Sequence, residues 1–198
     1  MSGKTLKVLG VGLALLVLAG IAAASSYNKL VRLDQDVAAQ WAQVENAYQR
    51  RADLIPNLVA TVKGAASFEK DTLTAVTEAR ARVGQVQAPS PGDAAGVKQF
   101  AQAQDQLSSA LSRLLVVSER YPELKATANF RDLQAQLEGT ENRISVERMR
   151  FNEAARAFNS VRNSLPTALF AGFFGQRFAE KAYFQSQAGA ATAPKVQF

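Results

Sequence analysis

From Leu30 onward a seam position returns every seven residues, at Leu30, Val37, Val44, Arg51, Leu58 and Ala65, interleaved with Trp41, Tyr48, Ile55 and Val62. This three-four alternation predicts a helix that packs one face against other helices, in the manner of a coiled coil. Its phase continues through Thr72, Val76, Ala79, Val83 and Val86. Within it, "QRRADLIPNLVATVKG" sets a charged residue, Arg51, on the seam and a proline, Pro56, where the helix should be running. Proline removes the hydrogen bond to the carbonyl four residues back, here that of Ala52. Two outcomes fit: a kink in one long helix, or a new helix with Asp53 as N-cap and Pro56 in its first turn. The unshifted phase favours the kink.

Downstream, "QAPSPGDAAG" (87–96) holds two prolines and two glycines and predicts a hairpin loop. A second seam follows at Val97, Phe100, Gln104, Leu107, Leu111, Leu114 and Ser118. "RYPELKATANF" breaks it at Pro122, predicting a second turn. The last seam, Phe130, Leu133, Leu137, Thr140, Ile144, Phe151, Ala155, Phe158 and Leu165, predicts a long helix ended by Pro166. The expected fold is therefore all-α, an antiparallel bundle of three to four long helices with short connections.

Ahead of the bundle, "VLGVGLALLVLAGIAAA" (Val8 to Ala24) is free of charge. It is at the short end of what spans a bilayer. One reading is a cleaved signal peptide with Lys4 and Lys7 as its basic region and Ala22-Ala23-Ala24 before Ser25 as the cleavage site. The favoured reading is an uncleaved transmembrane anchor, because Ser25 to Leu33 leads directly into the next helix. Lys4 and Lys7 orient the N-terminus toward the cytoplasm and the bundle outside it, although Lys29 and Arg32 on the far side oppose this. The chain thus divides into an anchor (1–26), a bundle (27–166), an aromatic-rich amphipathic segment (167–184) and a flexible tail (185–198).

Composition narrows the chemistry. The 198 residues contain neither cysteine nor histidine. Disulfides, thiolate metal sites and imidazole ligands are excluded, and with them paired Glu-x-x-His di-iron motifs. The net charge of +6 suits anionic lipid, but the basic residues are dispersed and no aromatic-basic RNA-binding signature appears, so no nucleic-acid partner is expected. "GVGLALLVLAG" lies in the anchor and is no phosphate loop. "SFEK" (67–70) has the Ser-x-x-Lys spacing of serine-lysine hydrolases, without their companion motifs. It also fits a helix restarting after Gly64. No catalytic residue, metal site or cofactor is expected.

"YNKLVRLDQDVAAQWAQVENAYQRRADLIPNLVATVKG", "LTAVTEARARV", "YPELKATANFRDLQAQLEGTENRISVERMRFNEAARAFN", the "FFGQ" region and the terminal "VQF" together resemble the LemA family, in order, from Tyr27 to Phe198. The resemblance implies a membrane-anchored antiparallel helical bundle, with some members linked to membrane organisation or envelope stress. Two positions depart from the family pattern. Ala65 and Phe68 stand where a Tyr and a His are expected, so a role resting on that histidine is not open to this chain.

An arginine on a seam faces other helices, and an unpaired buried charge is costly. Arg51 is therefore expected to pair with Glu141, or failing that with Asp53 or Glu138, and such a pair would fix helix register. The functional alternative is an anionic-ligand pocket built from Arg50, Arg51, Asn142 and Arg143. Residues 169–184 hold six aromatics; as a helix they would align Phe170, Phe174 and Phe178, with Arg177 and Lys181 nearby. Phe170, Phe173, Phe174 and Phe178 are then candidates for a lipid or self-association interface. The same residues would equally serve as a segment folded back over the bundle. Two functions follow: a non-enzymatic scaffold that self-associates or holds protein partners at the bilayer, or a tethered sensor for a peptide or small anion.

Overall fold

The computed structural model describes residues 3–64 and 69–185. Ala65, Ser67, Phe68 and the tail beyond Gln185 lie outside them, and with them the departures from the family pattern and the serine of the Ser-x-x-Lys spacing. The described chain is mostly helical, with no strand among the described residues: α1 (Gly3–Lys63), α2 (Lys70–Gln85), α3 (Ala94–Ser118), α4 (Pro122–Ala126), α5 (Ala128–Arg162), α6 (Thr167–Ala171) and a 3-10 turn at Gln176–Phe178.

At 61 residues, α1 is about 90 Å long. Its first part is apolar enough to cross a membrane and is almost wholly bare of protein contact, with Leu13, Leu15, Leu16 and Leu18 all exposed. The remainder enters the bundle without a break and lies along α5, while α2 lies along α3. Pro56 sits inside α1, so Asp53 caps no new helix. The carbonyl that Pro56 frees does not go unpaired. Arg80 Nε of α2 donates to Ala52 O at 3.2 Å.

Short turns close the bundle. Asp93 caps α3, its carboxylate accepting from Gly96 N at 3.0 Å. A Cβ on Gly96 would lie 2.3 Å from that carboxylate and 2.7 Å from Pro89, so the cap requires glycine there. Thr127 caps α5, and Pro122 at the start of α4 turns the "RYPELK" break into a single helical turn. The restart at Lys70 places Leu73, rather than Thr72, with Val76 and Ala79 in the core.

The core consists of two apolar clusters. The one nearer the apolar end of α1 gathers Leu30, Val37, Trp41, Val44, Phe100, Ile144, Phe151, Phe158, Phe178 and Phe184. The far one gathers Ile55, Leu58, Val62, Val76, Leu107, Leu114, Phe130 and Leu137. Leu165 is in neither: α5 ends at Arg162 and Leu165 is 74% exposed. The residue before a proline is pushed out of helical geometry, which stops the helix earlier than the apolar pattern implies.

The aromatic segment is not one helix. α6 ends at Ala171, Gly175 turns the chain at φ +74°, and 179–185 form a non-helical strap across the bundle. Phe178 is fully buried, which removes it from the interface candidates. Phe170 and Phe174 are half-buried and Phe173 is exposed. The physical reason is that the aromatic side chains of α1 and α5 offer an apolar surface, on which Phe184 packs against Trp41 and Phe151, and Phe178 packs against Tyr27 and Phe158.

Candidate functional site

Arg51 lies between the two core clusters. Its side chain is 1% exposed, and its Nη1 meets Glu141 Oε1 at 2.6 Å. Nη1 also donates to Ser108 Oγ at 2.5 Å. Nη2 donates to Gln104 Oε1 at 2.5 Å and to Gln104 O at 3.2 Å. The guanidinium packs on the Tyr48 ring, 5.2 Å from its centroid. One side chain of α1 is thus tied to α3 and α5 together. Arg51 Nε and the Tyr48 hydroxyl are the buried side-chain polar atoms left without a partner among the described residues. Burial pushes the Tyr48 phenol up from its usual pKa, against the lowering influence of Arg148 and Arg51.

The other sequence candidates lie elsewhere. Asp53 accepts from Gln49 on the exposed face of α1, and Glu138 accepts from Gln134 on α5. Arg50 and Arg143 line an open groove of about 510 Å³ between α1 and α5, with Gln43, Asn46, Gln136 and Thr140. Arg51 is not part of its wall. Arg143 is 3.9 Å from Glu147, and Asn142 is exposed. Arg50, Arg51, Asn142 and Arg143 therefore do not converge on one pocket. Arg50 and Arg51 are successive residues and so point to different sides of α1, one exposed and one buried. Among the described residues no group of three acidic, histidine or cysteine side chains is placed to hold a metal.

A second polar arrangement had no signal in the periodicity. Asn152 and Asn159 stand two turns apart on α5 and clasp the strap. Asn152 Nδ2 donates to Phe184 O at 2.8 Å, and Phe184 N donates back to Asn152 Oδ1 at 2.9 Å. Asn159 does the same with Lys181, at 2.9 and 2.8 Å. Seven helical residues advance about 10 Å, and three residues of an extended strap advance about 9 Å, so the two amides meet the strap in register. Lys181 and Phe184 are its buried positions, and Phe178, at the end of the turn before it, is buried as well. Phe184 stacks on Trp41 at 5.6 Å, and Lys181 Nζ pairs with Asp34 at 2.7 Å. The legible clue was a pair of asparagines seven apart beside Phe151 and Phe158. Helical periodicity cannot flag it, because the partner is not a helix. Buried Glu147, between Arg143 and Arg150, was also missed, lying at an acidic gap in an otherwise apolar seam.

The profile of the LemA family matches residues 40–198, which take in α1 from Gln40 onward, Arg51 with its partners, and the strap. The chain belongs to the LemA family. The bare apolar stretch of this family member lies upstream of the matched region. Relatives include magnetosome protein MamQ 2 of Paramagnetospirillum magneticum, 27% identical over 179 residues, covering 81% of this chain and 65% of the relative. Magnetosome protein MamQ of Magnetospirillum gryphiswaldense is 24% identical over 168 residues, covering 74% and 62%. The chain therefore spans less than two thirds of the length of these relatives. A family member with a bare apolar helix of this length is a membrane-associated protein.

Proposed function

We propose that this LemA-family chain is a non-enzymatic, single-pass membrane scaffold, whose bundle self-associates or holds protein partners near the bilayer in membrane organisation. The observation that carries this reading is the continuity of α1, one helix that is bare and apolar at its start and a core member of the bundle thereafter. No joint separates the two, so the bundle is a stiff post rather than a tethered, independently moving receptor. The charge buried at the centre supports the same reading. Arg51 is engaged by Glu141, Ser108 and Gln104, which suits a device for register more than a ligand site. The relatives' names refer to a cell structure and not to a reaction.

The test is the size of the full chain in detergent and in vesicles, by sedimentation and mild crosslinking. Assemblies larger than the monomer, or a defined complex with a second protein, are expected. A strictly monomeric chain stabilised by phosphate or sulfate, with the response lost in Arg50→Ala, would instead make it an anion sensor using the Arg50–Arg143 groove.

A further inference from the structure

α6 is amphipathic in the wrong sense for a water-facing turn. Its buried residues are small, Thr167 and Ala171, four apart. Large apolar residues of α6 and its two flanks are outward: Leu165 just before it, Leu169 within it and Phe173 just after it are 74%, 64% and 88% exposed. One short segment around α6 therefore carries all three exposed side chains. α6 also packs against α1. Ala22 and Ala23, at the end of the apolar stretch, are half-buried and Ser26 is buried, whereas Leu15 to Leu18 are bare. One turn on, Tyr27 meets Phe174 edge-on at 5.2 Å and Phe178 at 5.6 Å. The exposed apolar segment is thus held against α1 at the level where the bare apolar surface of α1 ends. Cations follow at this level of α1: Lys29 and Arg32, within about two turns of Ser26, are exposed, and exposed Arg177 reaches the Tyr27 hydroxyl at 3.3 Å.

From this placement we propose that residues 165–174 form a second membrane contact, with Leu165, Leu169 and Phe173 sunk into the acyl boundary of the bilayer that α1 crosses and Lys29, Arg32 and Arg177 at the headgroup phosphates. The inference rests on the reading of α1 as a bilayer span. Two contacts at separate points fix the tilt of a stiff bundle over the surface, which one spanning helix cannot do. The small inward residues let α6 lie close to α1, and the outward leucines and phenylalanine exchange water for lipid.

The chain contains no cysteine, so single-site labelling needs no background substitutions. Leu169→Cys, Phe173→Cys, Leu15→Cys and Val116→Cys are each spin-labelled in the full chain, reconstituted in vesicles of phosphatidylcholine and phosphatidylglycerol. All four positions are exposed, so the fold should tolerate the labels. Labels at 169 and 173 are expected to collide with dissolved oxygen in preference to a water-soluble nickel chelate, as the label at 15 does, with the opposite preference at 116. Nickel accessibility at 169 and 173 equal to that at 116, with 15 still lipid-exposed, overturns the wedge and leaves the anchor standing. Protection from both reagents that grows with protein density overturns it in favour of a second copy. A water-accessible label at 15 overturns the anchor and the wedge together.

Discussion

Arg51 and Glu141 make an unequal pair. The arginine is 1% exposed and the glutamate 42%, so the two halves of the bridge differ in what their loss leaves behind. Glu141→Ala strands a buried guanidinium and should cost about 3–5 kcal/mol. Arg51→Met keeps the volume and leaves a carboxylate free to turn to water, though it deprives the buried Gln104 amide oxygen of its donor at about 1–3 kcal/mol, so its cost should be the smaller of the two. Urea midpoints at unchanged slope check the order, and equal losses would mean that packing rather than charge decides. Tyr48 gives the second case. Its hydroxyl is buried without a partner, and an unmade hydrogen bond costs about 1–3 kcal/mol. Tyr48→Phe should therefore be neutral or stabilising. The phenol pKa is raised by burial, so its contribution is intact below the unfolded value of about 10 and is lost as pH rises from there through the folded value. Tyr48→Phe should flatten that alkaline limb in thermal melts taken across it.

Elements show how local propensity and packing divide the work. α1, α3 and α5 follow their heptad seams, and Pro56 bends nothing out of phase because Arg80 takes up the carbonyl it frees. The aromatic segment behaves otherwise. Its phenylalanines suggested a helical stripe, but two glycines and the Asn152 and Asn159 amides make it a strap whose buried positions recur every third residue. Truncation after Pro166 removes Phe178 and Phe184 from the core. At about 1.5–3 kcal/mol for each fully buried phenylalanine, the loss should be roughly 3–6 kcal/mol, a large share of an ordinary domain's stability. Denaturation of the truncated bundle should show this as a much lower midpoint. An unchanged midpoint would mean that the strap is an ornament on a finished core.

For the molecule as a whole, the apolar start of α1 sets where everything else sits. The protein should sediment with membranes and stay there through high salt and carbonate, since a helix of this apolarity inserts in an effectively irreversible way. Release by carbonate, or a mature chain beginning at Ser25, would reveal a cleaved leader instead. The order of the helices along α1 then gives the bundle a near end, with Leu30, Trp41, Phe158 and the strap, and a far end, with Val62, Leu73 and Phe130. Arg51 and its partners stand at the division.

What the sequence by itself determined was most of what has a period, Thr72 and Leu165 apart: the all-α class and the seams of α1, α3 and α5, together with the breaks at 87–96 and Pro122 and the charge at Arg51 that had to find a partner. Periodic burial is a local property, because each residue's face follows from its neighbours three and four positions away. Only the tertiary structure decided which carboxylate met Arg51, that Gln104 and Ser108 completed its shell, that Arg50 and Arg143 faced a different groove, and that Phe178 belonged to the core while Phe173 did not. Those outcomes depend on where α3, α5 and the strap lie relative to α1, and a contact between residues 90 positions apart leaves no trace in the spacing of either.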